Sequence, residues 1–288
     1  MRLVTYSVGP AGAVRVGVRV GHRVLDIEAA SRVKGEPLPS SLQALLIAGR
    51  GALSRVQALA KAATTDARPL TQAMYEERAI RFLPPIPEVK SILGLEGNCR
   101  PQAGEPAGKA SPEPADFEMT ASGFAGHDAK LAIPAGTSRH GFGAELVYVV
   151  GRTAENVEAD DALDYVAGVT LLNRFGGRRA PGKAQAPGTI GPEIVTMDEI
   201  ADPADLWVIA TVNGEEFLRV NTRDQVCTLG EVLERATRGR RLEPGDLFST
   251  GAFACGTDAA VLKPGDVIEC ALEGVAMLRT TVAAPAQG

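Results

Sequence analysis

The amino-acid sequence predicts an α+β protein that is rich in β-strands. Short apolar runs of strand-like composition dominate the last two thirds of the 288-residue chain. Turn-forming pairs such as Asn213-Gly214 separate these runs, as they do in antiparallel hairpins. Only a few segments show the 3.6-residue apolar period of an amphipathic helix. Many strands with few helices indicate the α+β class.

The N-terminal segment, residues 1–83, predicts a small α/β domain. Valines occupy every second position from Val14 to Val20, and Gly21-His22 separates them from a second apolar run. This alternation predicts a β-hairpin with one buried face. Between residues 41 and 63 the apolar period becomes helical with one interruption, so we expect two short helices, with Ser40 or Ser41 as a cap.

A second and larger domain is expected over residues 84–288. Prolines crowd residues 84–87 and predict a linker rather than a helix or central strand. Beyond it, we expect strands near residues 145–150, 207–212 and 267–272 and helices near residues 158–170 and 229–238.

Composition excludes several classes of partner. The formal net charge is −5 and the basic residues form no extended patch, so nucleic acid is not an expected partner. No run of 18 apolar residues is present, so no membrane span is expected. The four cysteines show no CxxC spacing and do not indicate a zinc site. With no apparent secretion signal, we expect a cytoplasmic protein without disulfides.

Five motifs, taken in order, resemble the fumarylacetoacetate hydrolase superfamily. They occur at residues 145–151, 160–168, 212–224, 242–251 and 262–268. The resemblance covers roughly residues 90 to 282. It implies a β-roll-like body of mixed strands, usually a homodimer, and chemistry on small oxo-acids. In the family, magnesium or calcium polarises the carbonyl group and stabilises the enolate that forms.

The family's metal ligands, a Glu-x-Glu pair and an aspartate, are largely absent. The resemblance aligns Glu145 with the second glutamate, but Gly143 with the first and Arg174 with the aspartate. Glycine offers no ligand, and an arginine guanidinium is a permanent cation without a lone pair to donate. We therefore expect no metal and no cofactor. We also expect Arg174 to lie within reach of Glu145.

The resemblance implies two further catalytic candidates. Lys183 aligns with a lysine of the family's site, and Glu96 lies where it could act as a base if desolvated. Arg100 stands where several relatives carry a catalytic histidine. The expected catalytic set is Glu145, Arg174, Lys183 and Glu96.

The expected substrate-binding residues combine family positions with nearby polar and aromatic side chains. They are Arg100, Ser122, His127, Phe175, Thr250, Gly251, Phe253 and Cys255. His127 beside Asp128 could equally be a solvated loop histidine, and Cys255 could equally serve packing. The two phenylalanines and nearby glycines favour a bulky, apolar ligand.

Three functions remain open. The first is a metal-independent enzyme for a bulky carbonyl or enol compound, of isomerase, cyclase or carbon–carbon lyase type, in which Arg174 and Lys183 replace the metal charge. The second is a non-catalytic binding protein in which Arg174 only neutralises Glu145. The third is a metal-dependent hydrolase or decarboxylase of oxo-acids with relocated ligands such as Glu96, Glu118 and Asp128.

Overall fold

The computed structural model describes residues 1–9, 12–89, 91–99, 114–120, 123–132, 142–175, 188–253 and 262–284. Within these ranges the strands are β1 (Arg2–Val8), β2 (Val14–Val20), β3 (Arg23–Asp26), β4 (Met74–Glu76), β5 (Ile80–Phe82), β6 (Ser91–Glu96), β7 (Ala115–Thr120), β8 (Phe124–Ala125), β9 (Ala129–Ala132), β10 (Phe142–Val150), β11 (Ala154–Glu155), β12 (Val166–Phe175), β13 (Gly188–Thr196), β14 (Trp207–Val212), β15 (Glu215–Asn221), β16 (Arg241–Leu242), β17 (Leu247–Ala252), β18 (Val267–Leu272) and β19 (Ala276–Ala283). The α-helices are α1 (Ile27–Val33), α2 (Leu42–Ile47), α3 (Gly49–Thr65) and α4 (Leu229–Thr237).

Two sheets organise the described chain. The larger runs in the order β4-β3-β2-β1-β13-β12-β10-β17-β6-β7, with β5 beside β1 and β8 beside β13. The smaller has the order β15-β14-β18-β19-β9, and β11 pairs separately with β16. Parallel and antiparallel pairs occur in both sheets. This strand-rich mixed architecture confirms the predicted α+β class.

The two faces of the large sheet bury different cores. One face, with Ala144 and Leu171, packs in the same apolar cluster as residues of the smaller sheet such as Val208 and Ile268. The other face, with Val147 and Leu172, packs against apolar residues of α1, α2 and α3. Because neighbouring residues of a strand point to opposite faces, a residue's place along the strand decides which core it joins.

The N-terminal strands continue the main sheet. β1 pairs with β13 through Arg2 opposite Val195 and Leu3 opposite Ile194. The first 83 residues therefore share a sheet and an apolar core with the rest of the chain. The boundary between residues 83 and 84 remains a prediction. Among the described residues, the helices are too short or too polar to cross a membrane.

Most local predictions are confirmed. β2 and β3 form the expected hairpin around Gly21-His22. The Ser41 hydroxyl caps α2 by accepting a 3.1 Å hydrogen bond from the Ala44 amide. A capping box of Thr228 and Glu231 begins α4 within the predicted range.

The helix predicted over residues 158–170 is wrong. A short 3-10 helix covers Ala159–Tyr165, and the buried strand β12 begins at Val166. β12 lies between β10 and β13 and is covered on both faces. A strand buried on both faces needs a continuous apolar run rather than an alternating one, so its sequence resembles that of a buried helix.

Candidate active site

The centre of the site is an ion pair between two strands. The Arg174 Nε donates a 2.7 Å hydrogen bond to Oε1 of Glu145. The Glu145 side chain is fully buried, whereas that of Arg174 retains 21% of its exposure. The pairing expected from the sequence is therefore confirmed. It brings a buried carboxylate and a solvent-accessible cation together where the resemblance placed metal ligands.

Strand register explains how the arginine reaches the glutamate. Arg174 on β12 stands directly opposite Gly143 on β10, and Glu145 follows two residues further along the same strand. Directly opposed residues have Cβ positions only about 4.5–5.5 Å apart, and diagonal neighbours remain within reach of long side chains. Since Gly143 has no side chain, the guanidinium meets no competing group at that position.

A serine holds the other oxygen of the carboxylate. The Ser249 hydroxyl on β17 donates a 2.7 Å hydrogen bond to Oε2 of Glu145. The Gly251 amide in turn donates a 3.0 Å hydrogen bond to Oγ of Ser249. Both oxygens of Glu145 are thus hydrogen-bonded, which fixes the orientation of the carboxylate and offsets its desolvation.

Gly251 has a steric role in this network. Its φ of +97° is a conformation that other residues rarely adopt. A Cβ at this position would lie 2.1 Å from the carbonyl oxygen of Leu95. Gly251 therefore contributes through its backbone, as the donor that orients Ser249.

An aromatic ring lies beside the cation. The Cζ atom of Arg174 lies 5.5 Å from the ring centroid of Phe117 on β7. This separation is within the range of a cation–π contact. The half-buried Phe117 also lines a cleft of about 330 Å³, together with Gly94, Leu95 and residues of α4.

Thr250 lies beside the site but serves an internal network. Its hydroxyl accepts a 2.6 Å hydrogen bond from Nε2 of Gln225, and its carbonyl accepts a 2.8 Å hydrogen bond from Nδ2 of Asn98. The side chain is fully buried. Because Thr250 follows Ser249 on the strand, alternation directs it away from Glu145.

The structure does not bring Phe175 and Phe253 to the ion pair. Both are buried in the apolar cluster that contains Ala144 and Leu171. Phe175 follows Arg174 on β12 and therefore points to the opposite face of the sheet. The preference for a bulky ligand rested partly on these two rings and loses that support.

The remaining catalytic and substrate-binding candidates are dispersed or lie outside the described residues. Glu96 ends β6 with an exposed side chain, so the desolvation expected of a base is not present there. Arg100, Ser122, Lys183 and Cys255 fall outside the described residues.

His127 occupies a different cleft, of about 450 Å³, between the N-terminal strands and the β18–β19 hairpin. Its Nδ1 accepts a 3.1 Å hydrogen bond from the Arg279 amide, and its ring packs edge-on against Phe82. Burial lowers the pKa of the His127 imidazole below its ordinary value, although nearby Asp128 opposes this effect. The geometry therefore favours a neutral, structural histidine.

The three relocated metal ligands are not assembled. Glu118 lines the Phe117 cleft and pairs with Arg240, while Asp128 pairs with Arg279 beside the other cleft. In the part of the chain that the structure describes, no three His, Cys, Asp or Glu side chains are grouped as a metal site.

Two residues of the site, Ser249 and Phe117, were not among the predicted functional positions. Ser249 belongs to one of the five motifs and Phe117 to none, and neither residue differs in type or spacing from its neighbours in a way that marks a site. Their contacts join strands far apart in sequence, so only the strand order of the sheet reveals them.

Known proteins share this fold and sequence pattern. The fumarylacetoacetate (FAA) hydrolase C-terminal family matches residues 92–283. The mitochondrial oxaloacetate tautomerase of Xenopus laevis is 27% identical over 98% of this chain and 90% of its own length.

Two solved structures show the same fold. A fumarylacetoacetate hydrolase from Exiguobacterium antarcticum superposes with a TM-score of 0.77 at 22% identity, over 99% of both chains. A maleylpyruvate hydrolase from Sphingobium sp. SYK-6, in complex with manganese(II) and pyruvate, gives 0.75 at 23% identity over 99% of this chain and 100% of its own.

The family match covers about two thirds of the chain and spans every strand that contributes to the ion pair. The chain therefore belongs to the fumarylacetoacetate hydrolase family, whose members are enzymes of small carbonyl and oxo-acid compounds.

Proposed function

We propose that this protein is a metal-independent isomerase or tautomerase of a carboxylated carbonyl or enol compound. Arg174 supplies the fixed positive charge of the site. The observation that carries the proposal is the 2.7 Å pair of Arg174 with fully buried Glu145, in which the arginine remains partly exposed.

The donor set around Glu145 does not fit a divalent cation. A hard cation takes several oxygen ligands, mostly from carboxylates. Among the described residues, Glu145 is the carboxylate of this site, its two oxygens are bonded to Arg174 and Ser249, and the facing position is Gly143. A cation at this position would also face the guanidinium, which is a like charge.

Arg174 can perform the electrostatic part of such a reaction. Keto and enol forms interconvert through an enolate, and a preorganised cation stabilises the charge that develops on its oxygen. Glu145 and Ser249 orient the guanidinium before the ligand arrives, which reduces reorganisation during the reaction. Lys183 remains a predicted second cation.

This charge and the names of the relatives support a carboxylated substrate. A guanidinium binds planar carboxylates well, because its donors match the spacing of the two oxygens. One relative is named for oxaloacetate, and one similar structure contains pyruvate. These names support oxaloacetate as the first substrate to test. Cyclase and carbon–carbon lyase reactions remain alternatives within the same electrostatic scheme.

The test is turnover of oxaloacetate, followed as keto–enol conversion with EDTA present. We expect Arg174→Ala and Glu145→Gln each to lower kcat/KM by about 100-fold or more, because loss of a preorganised charge-stabilising group has this size of effect. Unchanged rates in both variants would contradict the proposal. Activity lost in EDTA and restored by magnesium would instead indicate a metal-dependent enzyme.

A metal titration with a matched variant tests the donor set directly. The variant Gly143→Glu/Arg174→Asp restores the two carboxylates that the family places there. We expect calorimetry to detect magnesium or manganese binding in the variant and none in the parent protein at the same concentrations. Tight binding by the parent protein would contradict the assignment of these positions.

A non-catalytic binding protein is the second candidate. The observation that favours it is the complete pairing of Glu145, since both oxygens have partners without any ligand. In this case Arg174 would serve only to neutralise a buried carboxylate. Ligand binding without turnover, across a panel of oxo-acids and larger carbonyl compounds, would support this candidate.

A further inference from the structure

Phe117 covers the guanidinium of Arg174 from a strand at the far edge of the sheet. β7 is separated from β12 by β6, β17 and β10 in the strand order. The ring nevertheless lies 5.5 Å from the Cζ atom of Arg174. The phenylalanine therefore reaches across the sheet toward the ion pair.

A glycine makes this reach possible. Phe117 on β7 stands opposite Gly94 on β6, which in turn stands opposite Ser249 on β17. A Cβ on Gly94 would lie 2.7 Å from Cζ and 2.8 Å from Cε1 of the Phe117 ring. Contacts this short are not tolerated, so any side chain at position 94 would displace the ring.

We propose that Phe117 is a positioning residue that holds the Arg174 guanidinium in the orientation that receives the anionic ligand. The inference rests on the proposed function of Arg174. Glu145 accepts a hydrogen bond from Nε of Arg174, and the ring beside the guanidinium restricts its rotation about that hydrogen bond. The ligand class is a planar carboxylate or enolate, whose recognition depends on the plane of the guanidinium.

Phe117 also borders the cleft between the edge of the sheet and α4. The cleft measures about 330 Å³ and is lined by Phe117, Gly94 and Leu95 on the sheet side. This volume lies at the lower end of the range for small-molecule sites. The same ring can therefore contact Arg174 and form a wall of the cleft.

The first measurement is hydrogen exchange at the Nε–H of Arg174, followed by NMR in ¹⁵N-labelled protein. Loss of the resonance in Arg174→Lys assigns it. In Phe117→Leu we expect a shifted resonance and exchange that is about 5- to 20-fold faster, in line with loss of a partly shielded cation–π contact. Phe117→Tyr keeps the ring and should restore the slow rate.

The matched control is Phe217→Leu. Phe217 is also half-buried on a strand and packs against an aromatic ring, that of Phe142. It lies on β15 of the smaller sheet. Exchange at Arg174 should be unchanged in this variant. Equal exchange rates in Phe117→Leu and Phe217→Leu would overturn the proposal.

Pyruvate affinity, measured by calorimetry, tests the functional part. We expect Phe117→Leu to weaken binding by about 5- to 20-fold, and to have no further effect when Arg174 is already methionine. An equal effect in both backgrounds would show that Phe117 does not act through Arg174. If pyruvate binding is absent or independent of Arg174, the proposed function fails, and the exchange rates still decide whether Phe117 positions the guanidinium.

Discussion

Replacing Arg174 with methionine should destabilise the fold even if the protein has no catalytic activity. Glu145 is fully buried, and its Oε1 would lose the 2.7 Å hydrogen bond from Arg174. Removing one partner of a buried pair costs about 3–5 kcal/mol, because a charge is left uncompensated. We expect about 3 kcal/mol, at the lower end of that range, because the Ser249 hydroxyl continues to bond Oε2.

The assay is urea denaturation of Arg174→Met, Glu145→Gln and the double variant Arg174→Met/Glu145→Gln at neutral pH. The double variant removes the uncompensated charge and should recover most of the stability lost in Arg174→Met. A loss below about 1 kcal/mol in Arg174→Met would refute the reasoning, since that is the value of an exposed ion pair. Stability and turnover together then separate a structural role of the pair from a catalytic one.

Three further predictions concern other parts of the chain. In Arg19→Met, fully buried Glu193 loses its 2.8 Å partner and keeps the 3.5 Å contact with Arg2, so we expect urea denaturation to show a loss of about 3 kcal/mol, at the lower end of the range for a broken buried pair. Glu193→Gln should cost less, since burial already raises the pKa of that carboxyl despite Arg19. Burial lowers the pKa of His127 in the folded protein. Its contribution to stability is therefore complete above about pH 6.5, the ordinary histidine value, and is lost as the pH falls through the lowered pKa. When denaturation is measured from pH 8 to 5, His127→Gln should lose less stability on acidification than the parent protein. Gly251→Ala should lower the yield of folded protein and its melting temperature. The alanine Cβ would lie 2.1 Å from the Leu95 carbonyl oxygen, and a φ of +97° is strained for any residue with a side chain. An unchanged melting temperature would contradict this prediction.

Sequence reasoning succeeded where the determinant is local. The β2–β3 hairpin follows from alternation and a two-residue turn, and the cap of α2 follows from Ser41. These features depend on residues within a few positions of each other, so the pattern contains the needed information. The prediction of a helix at residues 158–170 failed because burial on both faces of β12 comes from strands distant in sequence.

The same distinction applies to the site. The pairing of Glu145 with Arg174 could be predicted, because the family resemblance aligns both with positions that share a site, and opposite charges there have a reason to meet. The contributions of Ser249 and Phe117 could not, since each depends on which strands are neighbours and on how far the ring extends over Gly94.

Residue types and their order were sufficient to predict the class of fold and the family, and they gave the expectation that Gly143 and Arg174 stand at two of the family's ligand positions. Which candidates meet depends on the tertiary structure, which brings Arg174 to Glu145 and Phe117, brings Ser249 to Glu145, and directs Phe175 to the opposite core. The physical reason is that side chains alternate between the faces of a sheet, so adjacent residues of one strand can belong to different environments.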